Sequence, residues 1–279
     1  MKNLIIGGSS KIGEKISFTN DECVKTYFSN KIKHGIYFDL TKDITSQINL
    51  DKFDNIIILS SVTDPKKCEE DHNYSNLLNV ISTKNLINAC AKKKKRVIFF
   101  SSDYVFDGKK GKYRENDTPN PINLYGEQKY EIEKYIHQNL ENFSILRIAK
   151  TYFDNLQTPC FLRNIYEQIK KNKEEINCID KQLFSPICSI DLSEIINRIV
   201  KLKVPILHVG GPKIFDRKEI IELIMMRLNK ELKINFIKRD IVEAESMFNW
   251  PIDVSFDISE LFKIKKNFVD IKTVLEENE

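Results

Sequence analysis

The sequence predicts an α/β protein with a doubly wound parallel sheet and a smaller C-terminal α/β region. Over the first 150 residues, short apolar runs rich in isoleucine, valine and phenylalanine alternate with stretches of helical spacing. Such runs are typical of strands buried on both faces of a parallel sheet, and the alternation favours helical crossovers between them. The chain has 279 residues, of which 41% are hydrophobic, so it can bury one large core or two unequal ones.

The elements can be assigned in order along the chain. A crossover helix begins near Tyr74 and ends near Ala91, and another helix carries Tyr125. In the second half, we expect helices over 161–171, 192–202 and 217–229 and a strand over 206–209. The predicted strands of the first half are 3–6, 24–28, 55–59, 96–100 and 143–148.

The first predicted strand runs directly into a turn of small residues, with the spacing Gly7-x-x-Ser10-x-x-Gly13. A strand followed by small residues and a helix start lets backbone N–H groups approach a pyrophosphate. An ordinary strand-to-helix turn explains the pattern about equally well, but its position after the first strand favours a phosphate site. The candidate phosphate-binding residues are Gly7, Ser9, Ser10, Lys11, Ile12 and Gly13.

The loop after the second predicted strand carries Ser29, Asn30 and Lys31 and contains no carboxylate. In dinucleotide-binding folds, an acidic residue at this place holds the ribose diol of NAD. Hydroxyl, amide and ammonium groups instead suit a 2′-phosphate, so the sequence favours NADP(H) over NAD(H). A solvated loop without a ligand is the alternative interpretation.

The stretch from Ser101 to Lys129 carries the candidate chemistry. Tyr125 and Lys129 are four residues apart, so on a helix they lie on the same face. An ammonium beside a phenol lowers the pKa of the phenol from about 10 toward neutrality. Ser102, at the end of a predicted strand, can supply a hydroxyl to the oxygen that the tyrosine protonates. This combination is suited to reducing a ketone; the alternative is an ordinary exposed pair on a helix surface.

Composition disfavours several other classes of protein. The chain has 44 basic and 40 acidic residues, and its basic run at 92–96 has no aromatic platform, so no nucleic-acid partner is expected. The six cysteines have no C-x-x-C or metal-ligand spacing, so we expect buried thiols and no metal. No apolar run approaches the roughly 18 residues of a membrane span, and the N-terminal run is too short for a signal peptide. We therefore expect a cytoplasmic protein with no membrane partner, in which His208 is a core residue.

With these pieces in place, the sequence resembles the extended short-chain dehydrogenase/reductases, and within them the dTDP-4-dehydrorhamnose reductase group. Two blocks carry the resemblance, SSDYVFDG at 101–108 and PINLYGEQK at 121–129. The resemblance implies a Rossmann-like NADP-binding domain over residues 1–150, to which the chain returns at about 185–205. It also implies that residues 151–279 mainly bind the substrate.

The same resemblance implies roles for individual residues. Tyr125 corresponds to the general acid, Lys129 to its activator and a ligand of the nicotinamide ribose, and Ser102 to the hydroxyl partner. The other implied contacts are Asp103, Tyr104 and Val105 with the sugar, Asp39 and Leu40 with the adenine, and Ser60, Ser61 and Val62 with the cofactor ribose and pyrophosphate.

Three positions depart from the family pattern. Ser10 replaces the middle glycine of the phosphate turn. Ile187 stands where threonine is usual, and Trp250 stands where arginine is usual. The last two fall in the region that reads the sugar nucleotide, so they bear on substrate identity rather than on the chemistry.

The resemblance implies an NADP(H)-dependent reductase of a nucleotide-linked 4-keto-6-deoxy sugar, in deoxysugar or surface polysaccharide biosynthesis. One alternative is a non-catalytic protein partner, because the same blocks resemble the regulatory subunit of methionine adenosyltransferase. Another is a sugar-nucleotide epimerase or dehydratase. Epimerases usually have an acidic residue after the second strand, and dehydratases usually have an Asp-Glu pair where this chain has Asp103 and Tyr104. The oligomeric state is open, with a homodimer as one possibility.

Overall fold

Seven parallel strands form the central sheet of the computed structural model, which describes residues 1–172, 174–237 and 249–278. These strands are Lys2–Ile6 (β1), Glu22–Tyr27 (β2), Ile36–Tyr37 (β3), Asn55–Ile58 (β4), Arg96–Ser102 (β5), Phe143–Ile148 (β6) and Ile206–Val209 (β11). The other strands in the described ranges are Thr151–Tyr152 (β7), Glu175–Ile179 (β8), Leu183–Phe184 (β9), Ile187–Cys188 (β10), Phe215–Asp216 (β12) and Lys233–Ile237 (β13). They pair as β7 with β10, β9 with β12, and β8 with β13.

The order of the strands in the central sheet is β3-β2-β1-β4-β5-β6-β11. The chain therefore moves outward in one direction from β1 to β3, and in the other direction from β4 to β11. Ligands of open α/β sheets bind at the carboxyl edge where the order reverses, which here lies between β1 and β4. The predicted doubly wound parallel sheet is confirmed.

Helices connect the strands and cover both faces of the sheet. A π-helical turn, Leu77–Ser82, interrupts the crossover helix that was predicted from about Tyr74 to Ala91. Two 3₁₀ turns are found at Leu50–Lys52 and Asp103–Val105. The α-helices in the described ranges are Lys11–Lys15 (α1), Ile44–Gln47 (α2), Pro65–Glu70 (α3), His72–Asn76 (α4), Thr83–Lys92 (α5), Leu124–Asn139 (α6), Phe161–Lys171 (α7), Ser189–Ile199 (α8), Arg217–Arg227 (α9), Ser259–Phe262 (α10) and Ile271–Glu277 (α11).

The isoleucine-rich strands give the sheet two apolar faces, because alternate residues of a strand point to opposite sides. On one face, Ile57 and Ile98 belong to a core that includes Ile195 of α8. On the other face, Ile56 belongs to a core that includes Ile132 of α6. A third core lies outside the sheet and joins α7, α9 and α11 with β8.

Residues 189–209 complete the central sheet after the chain has left it. Strand β11 pairs in parallel with β6, and the buried side of α8 packs into the sheet core. This return lies close to the segment 185–205 that the sequence indicated. The assignment of residues 1–150 to cofactor binding and of 151–279 to substrate binding stays a prediction.

Element boundaries agree with the predictions to within a few residues. Helix α7 has the predicted bounds, whereas α8 begins at Ser189, directly after the extended residues Ile187 and Cys188, and ends at Ile199. Helix α9 ends two residues before Asn229, whose φ of 49° lies in the left-handed region and cannot continue a helix.

His208 is fully buried in β11, as predicted. Its Nδ1 lies 2.9 Å from the carbonyl oxygen of Tyr113, and its Nε2 lies 3.2 Å from Nη1 of Arg147. The six cysteines are free thiols. Within the described ranges, no group of three metal-ligating side chains converges, and no helix is long and apolar enough to cross a membrane.

Candidate active site

A cleft of about 980 Å³ opens at the carboxyl edge of the sheet, across the point where the strand order reverses. This volume is at the upper end of the usual range for small-molecule sites. Most residues singled out in the sequence line the cleft. They are Gly7, Ser9, Ser10, Lys11, Ile12, Ser29, Asn30, Asp39, Leu40, Ser60, Ser61, Ser102, Asp103, Tyr104, Tyr125 and Lys129.

Four of the predicted site residues do not line the cleft. Gly13 lies beneath the turn, where a Cβ would meet backbone carbonyl oxygens at 2.7 and 2.8 Å, so its role is close packing. Lys31 is exposed on the loop after β2. Val62 packs beside the apolar cluster around Tyr125, and Val105 is fully buried in the sheet core. The 3₁₀ turn explains why Val105 does not line the cleft with its neighbours. With three residues per turn, its side chain has a different direction from those of Asp103 and Tyr104.

The turn after β1 is built for close approach of the backbone. Gly7 has a φ of 82°, and a Cβ there would lie 2.7 Å from the Oγ of Ser60. Ser10 caps α1, because its Oγ accepts a hydrogen bond from the N–H of Gly13 at 3.1 Å. The departure from glycine at position 10 therefore has a structural role in starting the helix.

The start of α6 is held against the turn that follows β5. Asn123 caps the helix by accepting a hydrogen bond from the N–H of Gly126 at 2.9 Å. Glu69 adds a second contact, because its Oε1 accepts from the N–H of Leu124 at 3.0 Å. A Cβ on Gly126 would overlap the carbonyl oxygen of Tyr104, so the two segments pack without an intervening side chain.

These contacts bring Ser102 and Tyr125 together at the floor of the cleft. The Oγ of Ser102 donates to Oδ1 of Asp103 at 2.9 Å and accepts from the N–H of Tyr104 at 3.2 Å. Burial raises the pKa of Tyr125 above its ordinary value, and a hydrogen bond with Ser102 acts in the opposite direction. Ser102 and Tyr125 thus line the same part of the cleft, and a direct role of the serine hydroxyl toward the phenol stays a prediction.

Lys129 lies one turn after Tyr125 and is almost fully buried. Its Nζ donates to the carbonyl oxygen of Phe100 at 2.9 Å and lies 5.7 Å from the centre of the Tyr125 ring. Burial lowers the pKa of Lys129 to about 8. The sequence-based prediction of a lowered tyrosine pKa is not met here, because burial of Tyr125 outweighs the other influences on its pKa.

A buried polar network supports the far side of this site. Glu133, one turn beyond Lys129, accepts from the Oγ of Ser101 at 2.5 Å. Its carboxylate also pairs with the guanidinium of Arg147, with 2.8 Å between Oε2 and Nη2. Both side chains of the pair are at most 3% exposed. The network ties α6 to β5 and β6, the two strands behind the cleft.

Asn79, in the π-helical turn, connects the loop after β4 to α6. Its Oδ1 accepts from the N–H of Val62 at 2.7 Å and from the Oγ of Ser61 at 2.9 Å. Its Nδ2 donates to Oε1 of Gln128 at 2.7 Å. One buried amide therefore fixes the loop after β4 relative to the helix that carries Tyr125.

Three residues of this region were missed or not given a role by the sequence analysis. Lys150 and Trp250 line the cleft, and Arg217 influences the pKa of Lys150. Lys150 follows β6 at the carboxyl edge, a position that could have marked it. Arg217 carries no such signal, because its approach depends on the packing of α9 beside the cleft.

The end of the cleft near β2 and β3 suits an adenosine group. Phe28, Ser29 and Asn30 line it on one side, and Asp39 and Leu40 on the other. Small residues follow at the glycine turn, and hydroxyls follow at Ser60 and Ser61. The lining therefore fits a dinucleotide that runs from this end to Tyr125.

Comparison with known proteins identifies the family. Residues 1–244 match the family model described as the RmlD substrate binding domain. The chain therefore belongs to this family and, with it, to the extended short-chain dehydrogenase/reductases.

Curated relatives of two kinds match parts of the chain. Methionine adenosyltransferase 2 subunit beta from Xenopus tropicalis is 41% identical over 90 residues, which are 32% of this chain and 27% of that protein. The chain thus matches only about a quarter of the length of that relative. The dTDP-4-dehydrorhamnose reductase of Aggregatibacter actinomycetemcomitans is 29% identical over 171 residues, which are 58% of this chain and 55% of that enzyme.

Solved structures match the whole chain. A hypothetical dTDP-4-dehydrorhamnose reductase from Sulfolobus tokodaii is 28% identical, covers 100% of both chains and has a TM-score of 0.83. The dTDP-4-dehydrorhamnose reductase of Bacillus anthracis, solved in complex with NADP, is 20% identical, with 99% and 97% of the chains covered and a TM-score of 0.80. The second likeness supports the fold alone.

Proposed function

We propose that this protein is an NADP(H)-dependent reductase of a nucleotide-linked 4-keto-6-deoxy sugar, acting in deoxysugar or surface polysaccharide biosynthesis. The observation that carries the proposal is the meeting of Ser102, Tyr125 and Lys129 at the floor of one cleft. The cleft is also long enough to run from an adenosine-like end to these residues. Family membership supports the same reaction class.

In this proposal, Tyr125 is the proton donor to the developing alkoxide of the sugar. Its raised pKa keeps the phenol protonated before reaction. A hydrogen bond donated by Ser102 to the phenol oxygen, together with the nearby Lys129 ammonium, would stabilise the negative charge left there. Positioned acid–base groups of this kind contribute about 10²- to 10⁴-fold to a rate.

Lys129 has two tasks in the proposal. Its Nζ is anchored on the carbonyl oxygen of Phe100, so the ammonium is held at a fixed place beside Tyr125. Because its pKa is lowered only to about 8, the side chain is mostly charged at neutral pH. In the proposal, its remaining N–H groups donate hydrogen bonds to hydroxyls of the nicotinamide ribose.

NADPH, when bound, would supply the hydride to the carbonyl carbon. Gly7 and the capped start of α1 would hold its pyrophosphate, and Ser29 and Asn30 would hold its 2′-phosphate. The absence of a carboxylate among Ser29, Asn30 and Lys31 is the reason for preferring NADP(H).

The test is a screen of nucleotide-linked 4-keto-6-deoxy sugars that follows oxidation of NADPH and NADH. We expect Tyr125→Phe to lower kcat by at least 100-fold, and Ser102→Ala to lower it while Ser102→Thr preserves it. Tyr130→Phe, a tyrosine on the same helix outside the cleft lining, is the matched control. Full activity of Tyr125→Phe would exclude the mechanism.

A second candidate function is that of a non-catalytic subunit. It is favoured by the 41% identity over 90 residues to methionine adenosyltransferase 2 subunit beta. Stable co-purification with a methionine adenosyltransferase catalytic subunit, together with no turnover of any keto sugar nucleotide, would support it. Turnover of a keto sugar nucleotide that depends on Tyr125 would instead support the reductase.

A further inference from the structure

The cleft contains a cation that is not used in the proposed proton transfer. The Nζ of Lys150 lies 5.3 Å from the ring centre of Phe184 and 5.7 Å from that of Trp250. Within the described part of the chain, this ammonium makes no hydrogen bond and no ion pair. An ammonium has three donors, so Lys150 offers unsatisfied donors to the cleft that it lines.

A second cation, Arg217, lies near Lys150. Burial, with a contribution from the nearby Arg217 guanidinium, lowers the pKa of Lys150 to about 8. Nη1 of Arg217 donates to Oε1 of Gln182 at 3.3 Å, whereas its buried Nε has no hydrogen-bond partner among the described residues. Among the described residues, these two neighbouring cations have one side-chain hydrogen-bond acceptor, Gln182.

The nearby carboxylate of Asp103 does not form an ion pair with Lys150 or Arg217. Oδ1 of Asp103 accepts from Ser102, and its buried Oδ2 has no hydrogen-bond partner among the described residues. Asp103 is close enough to oppose the lowering of the Lys150 pKa but not within ion-pair distance. The cluster of Lys150, Arg217 and Asp103 thus has one more positive than negative group, and a buried charge requires a partner.

The cluster of Lys150, Arg217 and Asp103 lies on the side of Tyr125 where the substrate would bind. Aromatic rings connect it to the reaction centre, with 6.1 Å between the ring centres of Tyr125 and Tyr104 and 6.4 Å between those of Tyr104 and Trp250. Lys150 lies over the same Trp250 ring. The ammonium is therefore on the substrate side of Tyr125, away from the adenosine end of the cleft.

We propose that Lys150, backed by Arg217, binds an oxyanion of the substrate and so determines which sugar nucleotides the protein accepts. The inference rests on the proposed function for the identity of the ligand as a sugar nucleotide. Two sources of the oxyanion have the same chemistry: a phosphate oxygen of the nucleotide, or a carboxylate on the sugar.

The experiment measures binding without turnover. Trp250 is the one tryptophan of the chain, so its fluorescence reports on ligands beside Lys150. The 279-residue protein is titrated with dTDP-glucose, UDP-glucose and UDP-glucuronic acid. We expect Lys150→Met to raise Kd by about 10-fold or more for ligands that carry the bound oxyanion, as for loss of a hydrogen bond to a charged group. Lys150→Arg keeps the charge and should change Kd by less than about 3-fold.

Lys170→Met is the matched control, because Lys170 also lies over an aromatic ring but on α7, outside the cleft lining. If Lys150→Met binds all three ligands more weakly, the oxyanion belongs to the nucleotide phosphates. If it binds only UDP-glucuronic acid more weakly, the oxyanion is the sugar carboxylate. Unchanged Kd values in Lys150→Met, or no binding to the unaltered protein, would overturn the inference. Binding that depends on Lys150 without turnover of any keto sugar would refute the proposed reductase and leave the inference standing.

Discussion

The carbonyl oxygen of Tyr104 occupies the space that a Cβ on Gly126 would need. Through this contact, the first turn of α6 rests directly on the turn after Ser102. The helix carries Tyr125 and Lys129, so the contact sets the distance between the proposed proton donor and its hydroxyl partner.

Replacing Gly126 with alanine should separate Tyr125 from Ser102 while the sheet stays folded. A displacement of about 1 Å at a reacting group can cost about 100-fold in rate, so we expect kcat/KM to fall by about that factor. Steady-state kinetics and circular dichroism provide the measurement. Glu127→Ala, at the next and exposed position, should leave both unchanged; equal activity of the two variants would contradict the prediction.

The buried carboxylate of Asp103 should lower the free energy of unfolding at neutral pH. Burial raises the pKa of Asp103 to about 6, above its ordinary value of 3.8. Stability linked to this group is therefore fully present below pH 3.8 and is lost as the pH rises through 6. At pH 7.5, Asp103→Asn should raise the free energy of unfolding by about 1–3 kcal/mol, and the gain should shrink toward pH 4.

Urea unfolding at several pH values measures this effect. Asp117→Asn is the control of opposite sign, because hydrogen bonds from Arg114 and Lys110 hold the pKa of Asp117 below its ordinary value. If Asp103→Asn destabilised the protein at pH 7.5, the carboxylate would have a favourable partner and the prediction would be wrong.

His208 should make the protein sensitive to mild acid. Burial, with the adjacent Arg147, lowers the pKa of His208 to about 3 from an ordinary value of 6.5. The stability linked to the neutral imidazole is present above pH 6.5 and is lost as the pH falls toward 3. The free energy of unfolding should therefore fall more steeply between pH 6.5 and 4 in the unaltered protein than in His208→Gln. The exposed His137, changed to glutamine, is the control.

Breaking the buried pair of Glu133 and Arg147 should destabilise the protein strongly. Glu133→Gln would leave the guanidinium without a counter-charge at a site that is 3% exposed. Removal of one partner of a buried pair costs about 3–5 kcal/mol. The double variant Glu133→Gln/Arg147→Met should recover part of the loss in urea unfolding, and a double variant that is less stable than Glu133→Gln would argue against the pair as the cause.

Asn30→Asp should change the preference for the cofactor. A carboxylate in the loop after β2 repels a 2′-phosphate and can bind the two hydroxyls of an NADH ribose. We expect KM for NADPH to rise by about 10-fold and KM for NADH to fall. Lys52→Asp, which makes a larger change in charge outside the cleft lining, should leave both KM values unchanged.

The fold could be predicted because its signals are local. The isoleucine runs at β1 and β4 and the i, i+4 spacing of Tyr125 and Lys129 depend on neighbours in the sequence. The carboxyl edge of a parallel sheet then gathers the loops that follow each strand. That rule places Ser10, Ser60 and Ser102 in one cleft without any knowledge of tertiary packing.

The features of the site that the sequence did not predict depend on packing between distant segments. Val105 follows two cleft residues in sequence but enters the core because the backbone forms a 3₁₀ turn there. Arg217 reaches the neighbourhood of Lys150 only through the packing of α9. The pKa of Tyr125 depends on burial by several segments, which a sequence pattern of tyrosine and lysine does not contain.

The π-helical turn at Leu77–Ser82 makes the site depend on the number of residues in its crossover as well as on their identity. A π turn holds one more residue than an α turn would need. Deleting one residue between Leu77 and Ser82 would restore an ordinary helix and change the directions of the side chains within this segment. Asn79 would then leave Val62 and Gln128, even though Ser102, Tyr125 and Lys129 were unchanged. Among related chains, those that keep this one-residue excess should also keep an amide at the position of Asn79, so the length of the segment is itself a marker of the site.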